Sequence, residues 1–253
     1  MLNTVISGAP SDKPPLLIAH GLFGSARNWG VIAKRMSDAR QVITVDMRNH
    51  GSSARKPSQS YADMAADLAQ TIENNGGRAD VMGHSMGGKA AMMLALNRPE
   101  LIRRLIIADI APVAYTHSQN HLIEAMRALD LSRVEKRSDA DAQLAEHIDE
   151  PGVRAFLLQS LDVKAKRWLL NLDVLEAYMP KIVGWPGPTG QFDGPTFFLS
   201  GGESDYVKRA DRDRIKALFP RARFASIPGA GHWLHAEKPR EFEAAMRAFL
   251  DQT

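Results

Sequence analysis

Cysteine is absent from all 253 residues. That excludes disulfides, thiolate metal sites and a cysteine nucleophile, and it fits a reducing cytoplasm as the expected location. Long apolar runs are absent too. No window approaches the roughly 18 consecutive apolar residues of a membrane-spanning helix, so no membrane span is expected. The first residues, Met1-Leu-Asn-Thr-Val-Ile-Ser-Gly8, lack the basic start and apolar stretch of a secretion signal. Neither sign of charge dominates. The 32 Lys and Arg against 29 Asp and Glu leave a net +3, with no basic stretch gathered on one element, so nucleic acid is not an expected partner. No internal repeat or low-complexity segment occurs. What is present is an ordinary globular composition, 44% hydrophobic and 24% charged. The length suits one large domain, or one core with an insertion, and a monomer is compatible with it.

Short apolar runs alternate with helical patterns, which predicts an α/β fold with a mostly parallel sheet flanked by helices. Strands are expected at Leu16–His20, Gln41–Asp46, Arg78–Gly83, Arg104–Asp109, Thr196–Ser200 and Arg223–Ile227. Helices are expected at Trp29–Met36, Tyr61–Glu73, Met86–Asn97, around Arg212–Phe219, and from Glu237 to Leu250. From about Pro112 to Pro188 the rhythm breaks, and no convincing strand occurs. Leu122, Ile123, Met126 and Leu129 mark one amphipathic helix; Val153, Phe156, Leu157 and Leu161 mark a second; Leu172, Leu175 and Met179 suit a third. The division expected is a core of residues 1–111 and 189–253 with a helical cap, 112–188, inserted in it.

The main chemical signal is Gly83-His84-Ser85-Met86-Gly87, a match to G-x-S-x-G between a strand and a helix. A nucleophile there sits on a tight, strained turn, and glycines on either side let strand and helix approach closely. The helix that follows points its free N–H groups at a developing anion. His20-Gly21-Leu22-Phe23-Gly24 follows another strand and offers a second N–H. The expected oxyanion hole is the backbone of Leu22 and Met86. Gly229-Ala-Gly-His232-Trp233 follows the last strand, where a histidine can reach over the nucleophile as general base. His235 makes a metal pair thinkable, but no further ligand cluster supports one, so no metal is expected. His84 reads as a pocket wall, because adjacent side chains on a sharp turn diverge. The loop Asp46-Met-Arg48-Asn49-His50-Gly51-Ser52-Ser53 reads as a hydrogen-bonded brace at the sheet's edge.

Together, HGLFGS, DMRNHGSS, GHSMGGKAA, ADIAP and GAGHWLHAEKP resemble the YbfF-like bacterial esterases of the α/β-hydrolase superfamily, from about Leu16 to Leu250. The resemblance implies hydrolysis of carboxylic esters and acyl thioesters, with no metal or organic cofactor and with a cap over the site. Two aspartates compete as the acid. Asp109 ends the strand RLIIAD; Asp205 lies in GGESDYV after the next strand, where many relatives carry the acid in a G-x-x-D-x-x-V pattern. Counting that pattern from Gly201 puts Ser204 in the acid's place, as in the YbfF-like group. Asp109 is therefore favoured, with Ser204 supporting the His–Asp pair.

The expected reaction is attack by Ser85, with His232 as base, Asp109 orienting it, and an acyl-enzyme intermediate. A lactonase or a carbon–carbon bond hydrolase would use the same groups. A non-catalytic ligand-binding homologue is the alternative of another class. Gly83 to Ala90 nearly matches a phosphate loop around Lys89, but Ala90 lacks the magnesium-ligating hydroxyl. A substrate pocket is expected from Phe23, His84, Trp168, Tyr178, Trp185 and Trp233. Lys164, Lys166 and Arg167 read as a solvated charge run that an anionic leaving group such as coenzyme A could also exploit.

Overall fold

A computed structural model describes residues 1–252. The core strands are β1 (Asn3–Ser7), β2 (Leu16–Ala19), β3 (Val42–Asp46), β4 (Ala79–His84) and β5 (Ile102–Ala108). A two-stranded hairpin, β6 (Leu161–Asp162) and β7 (Arg167–Trp168), lies in the insertion, and β8 (Thr196–Gly201) and β9 (Ala222–Ile227) complete the core sheet. The seven-stranded sheet has the order β1-β3-β2-β4-β5-β8-β9, with only β1 antiparallel to its neighbour. This is the α/β-hydrolase fold with its mostly parallel sheet.

The central strands are buried on both faces and contribute alternately to two apolar layers. Leu16 and Ile18 pack with Trp29, Ile32 and Met36 of α1 (Gly30–Met36) and its entry turn. Leu17 and Ala19 join the other layer, with Met64 and Leu68 of α2 (Tyr61–Glu73) and Leu94 of α3 (Met86–Asn97). A period of two on each strand puts helices on both sides. The order turns outward in opposite directions from β2 and β4, so their C-terminal ends flank the crevice where ligands bind in such sheets.

Between β5 and β8 run α4 (Asn120–Ala128), α5 (Arg137–Leu144), α6 (Pro151–Leu158), the β6–β7 hairpin, α7 (Leu172–Ala177) and α8 (Met179–Val183). Besides α8 and the short helix Leu234–Glu237, which stand apart from the helices expected beside them, three elements were not expected from the periodicity. One is the hairpin, which corrects the reading of a strand-free insertion. The others are α5 and the edge strand β1. The insertion is tied to the core by polar contacts. The Asn171 N–H donates to the Asn49 carbonyl at 2.9 Å, the Ser160 hydroxyl to the Phe23 carbonyl at 2.8 Å, and the Tyr61 hydroxyl to the Ile182 carbonyl at 2.5 Å. The chain closes with α9 (Arg212–Leu218), the short α10 (Leu234–Glu237) and α11 (Pro239–Leu250). Among the described residues no helix is long and apolar enough to cross a membrane.

Candidate active site

Strand β4 runs fully buried to His84, and the next residue turns sharply into α3. Ser85 has φ 51° and ψ −120°, a region a side chain rarely adopts, and the packing around it holds the strain. A β-carbon on Gly83 would lie 2.3 Å from the Gly87 carbonyl oxygen, and one on Gly87 2.5 Å from the carbonyls of Ala19 and His20. Only glycine fits either place, which is why the turn needs both. The Ser85 N–H donates to the Ala108 carbonyl at 3.1 Å, pinning the elbow to β5. The serine is half-buried and faces the main cavity.

Asp109 follows the end of β5 and is fully buried, with φ 51°. Its Oδ1 accepts from the Gly201 N–H at 3.0 Å, and its Oδ2 accepts from the Ser204 hydroxyl at 2.5 Å and from His232 Nδ1 at 2.7 Å. Asp205 is exposed and turned away from this cluster. The segment GGESDYV thus presents Ser204 to Asp109, while its own carboxylate faces water. No hydrogen bond joins the Ser85 hydroxyl to His232 in this arrangement. The imidazole ring instead stacks on Tyr206, with centroids 4.0 Å apart.

The loop after β2 is pinned by two buried histidines. His20 Nδ1 donates to the Gly21 carbonyl at 2.7 Å, and its Nε2 accepts from the Met47 N–H at 2.9 Å. His50 Nδ1 donates to the Arg48 carbonyl, and its Nε2 accepts from the Phe23 N–H at 3.1 Å. Burial lowers the pKa of both rings; His50, with the His20 charge as the next cause, falls to about 3, so both stay neutral and keep an acceptor nitrogen. The Phe23 N–H is thus taken by His50, while among the described residues the N–H groups of Leu22 and Met86, both of which line the cavity, have no protein acceptor. Asp46 braces the sheet's edge, as read from its loop. Its carboxylate accepts from the N–H groups of Ala26 and Ser52, both at 2.8 Å.

The cavity measures about 530 Å³. Leu22, Phe23, His84, Ser85, Met86, His232 and Trp233 all line it. Trp168, Tyr178 and Trp185 do not, which corrects the expectation for these three. The Trp168 indole is buried inside the cap and donates to the Met126 carbonyl at 2.9 Å. The Lys181 ammonium sits 4.8 Å from the Tyr178 ring, and Trp185 packs near Tyr61 at 6.3 Å. Leu122, Ile148, Val153, Phe156, Ile182 and Val183 form the insertion's apolar share of the wall instead. Lys164, Lys166 and Arg167 are exposed and lie outside the cavity.

Two wall residues were read from the sequence only in other connections, Lys89 in a near-match to a phosphate loop and His235 as half of a thinkable metal pair. Lys89 is buried one turn into α3, with its ammonium donating to the carbonyls of Val183 at 3.0 Å and Gly184 at 2.6 Å. Burial lowers its pKa to about 7. A lone lysine in the apolar helix MGGKAAMMLALN was the available signal. His235, 7% exposed, stacks on Trp29 at 4.0 Å with an unpaired Nδ1. Burial, and then the charge of His232, lower its pKa to about 3.

The alpha/beta hydrolase family profile matches residues 16–245. The chain belongs to this family. It is 42% identical to the esterase YbfF of Escherichia coli over 243 residues, covering 95% of this chain and 94% of that one. It is also 42% identical to the mouse sn-1-specific diacylglycerol lipase ABHD11 over 248 residues, 94% of this chain and 81% of the mouse protein. The solved structure of a marine microorganism esterase superposes with a TM-score of 0.92 at 38% identity, covering 98% of both chains. The resemblance to YbfF-like esterases noted from the motifs thus holds over most of the chain.

Proposed function

We propose that this protein hydrolyses carboxylic esters, and acyl thioesters by the same route, through an acyl-enzyme on Ser85. The observation that carries the reading is the His232 Nδ1–Asp109 Oδ2 hydrogen bond of 2.7 Å, with His232 and Ser85 facing one cavity. That bond fixes the imidazole with its proton on Nδ1 and leaves Nε2 as the base. A hydrogen bond from the serine to Nε2 is of the kind that commonly tightens only when substrate binds.

The steps follow from the groups present. Nε2 takes the hydroxyl proton as Ser85 attacks the acyl carbon, and buried Asp109 stabilises the imidazolium. The N–H groups of Leu22 and Met86 receive the oxyanion; each such donor contributes roughly 3 kcal/mol in comparable sites. The alcohol or thiol leaves with the proton from Nε2, and water then repeats the sequence on the acyl-enzyme. Ser204 completes the carboxylate's hydrogen bonding.

Ser85→Ala should lower turnover on a short acyl ester by about 10⁴–10⁶ and abolish labelling by a fluorophosphonate probe, with the fold unchanged by circular dichroism. Retained activity in the folded variant would remove the serine from the reaction.

A further inference from the structure

His232 needs more than its aspartate. A hydrogen bond at Nδ1 sets where the ring begins but leaves its plane free to swing about that contact. The plane is set by Tyr206, whose ring lies 4.0 Å away at an interplanar angle of 23°. Tyr206 is itself held at three points. Its N–H donates to the Ser204 hydroxyl at 3.3 Å, its carbonyl accepts from the Tyr115 hydroxyl at 2.7 Å, and its own hydroxyl meets His117 Nε2 at 2.9 Å. Tyr115 is anchored in turn by the Ala111 N–H at 2.9 Å. An aromatic ring tied at both ends, parallel to an imidazole, is a fixed wall rather than a chance neighbour.

We propose that Tyr206 is the positioning residue for the general base, holding the plane of His232 and offering its π face to the imidazolium that forms during proton transfer. The inference rests on the reading of His232 as base. A cation within about 6 Å of an aromatic centroid is attracted to the ring's negative face, and more strongly when water is excluded. Among the described residues Asp109 is the only charged partner of His232 within hydrogen-bond reach. The other titratable groups around the ring are His84, His235, His117 and the Tyr206 phenol. Desolvation keeps the three histidines neutral near pH 7 and holds the phenol protonated, so none supplies a rival charge. The tie between the Tyr206 hydroxyl and His117, at the entry to the insertion, is a separate contact that can be removed without touching the stack.

The test compares Tyr206→Leu, which removes the π face, with Tyr206→Phe, which removes only the hydroxyl. Tyr206→Leu should lower kcat about tenfold with KM unchanged and move the acid limb of kcat/KM down by about one pH unit. Tyr206→Phe should stay within about twofold on both measures. The His232 titration, followed by NMR in Ser85→Ala and in Ser85→Ala carrying each Tyr206 variant, reads the same shift without turnover. Thermal melting checks that each variant is folded. A Leu variant with an unmoved acid limb, by kinetics or by NMR, overturns the proposal. So does a Phe variant as impaired as Leu, which would assign the effect to the His117 tie. If Ser85→Ala remains active, the hydrolase reading itself falls; if it is inactive and Tyr206→Leu is normal, only this inference does.

Discussion

The core sheet and the cap solve opposite problems. In the core, β2, β4 and β5 lie buried side by side, and Ser85, Asp109 and His232 all stand on the loops at the strands' C-terminal edge. In the insertion, the helices run five to nine residues, and Ile123, Met126, Leu175 and Met179 share an apolar cluster with the core while hydrogen bonds add further ties. The insertion gives the cavity a mixed wall, apolar at Leu122, Ile148, Val153 and Phe156 and polar at His117, His147, Asp149 and Glu150. A reaction that depends on tenths of an ångström belongs on rigid strands. The two regions should therefore respond differently to the same kind of injury.

The sharpest test of that division concerns the acid at the core's edge. Asp109→Asn should lower turnover by up to about 10⁴-fold, while exposed Asp205→Asn leaves it near the parent value. The reverse ranking, measured on one short ester, would move the acid to Asp205 and break the assignment of chemistry to the buried strand ends.

A second test uses the buried histidines of the core loops. His50 and His235 have pKa values near 3, below the ordinary 6.5. The unfolded chain therefore takes up protons first as pH falls. Their contribution is fully present above about pH 6.5 and is lost as pH falls toward 3. At pH 5 each costs about 2 kcal/mol of stability. His235→Phe keeps a ring on Trp29 and removes a nitrogen that has no partner. Urea unfolding at pH 7 and pH 5 should show a smaller loss for this variant than for the parent. An equal loss would mean that acid sensitivity resides elsewhere.

The smallest expected effect belongs to the cap. If its wall buries the acyl chain, kcat/KM should rise about three- to fourfold per added CH₂ until the cavity is full, then fall. Phe156→Ala should shift that optimum to longer chains while leaving acetyl esters little changed. A flat profile from acetyl to octanoyl esters would reduce the cap to a gate.

Legibility followed the same divide. Strands buried on both faces announce themselves as apolar runs, and the elbow's glycines are dictated by contacts that any such turn must make. β1 escaped because NTVIS is a half-exposed edge strand without a clean alternation. The β6–β7 hairpin has two residues a side, too few for any period, and α5, RSDADAQL, buries only Ala140 and Leu144. Bulk alone pointed Trp168, Tyr178 and Trp185 into the pocket. Bulk says that a side chain seeks cover, not which cavity supplies it, and here packing within the insertion and beside Tyr61 supplies it. Tyr206 carried no local mark, because its meaning lies in a ring 26 positions further along the chain.

One connection has a consequence in time. β5 ends at Ala108, and its partner β8 begins only at Thr196, with the whole insertion between. During synthesis the far edge of β5 stays open until that stretch has been made, an interval on the order of ten seconds at ordinary elongation rates. An uncovered apolar strand edge is a template for wrong pairing. The length of the insertion therefore sets how long a ribosome-bound chain is exposed to aggregation. A shortened insertion should give more soluble protein per chain synthesised, even where the finished fold gains no stability.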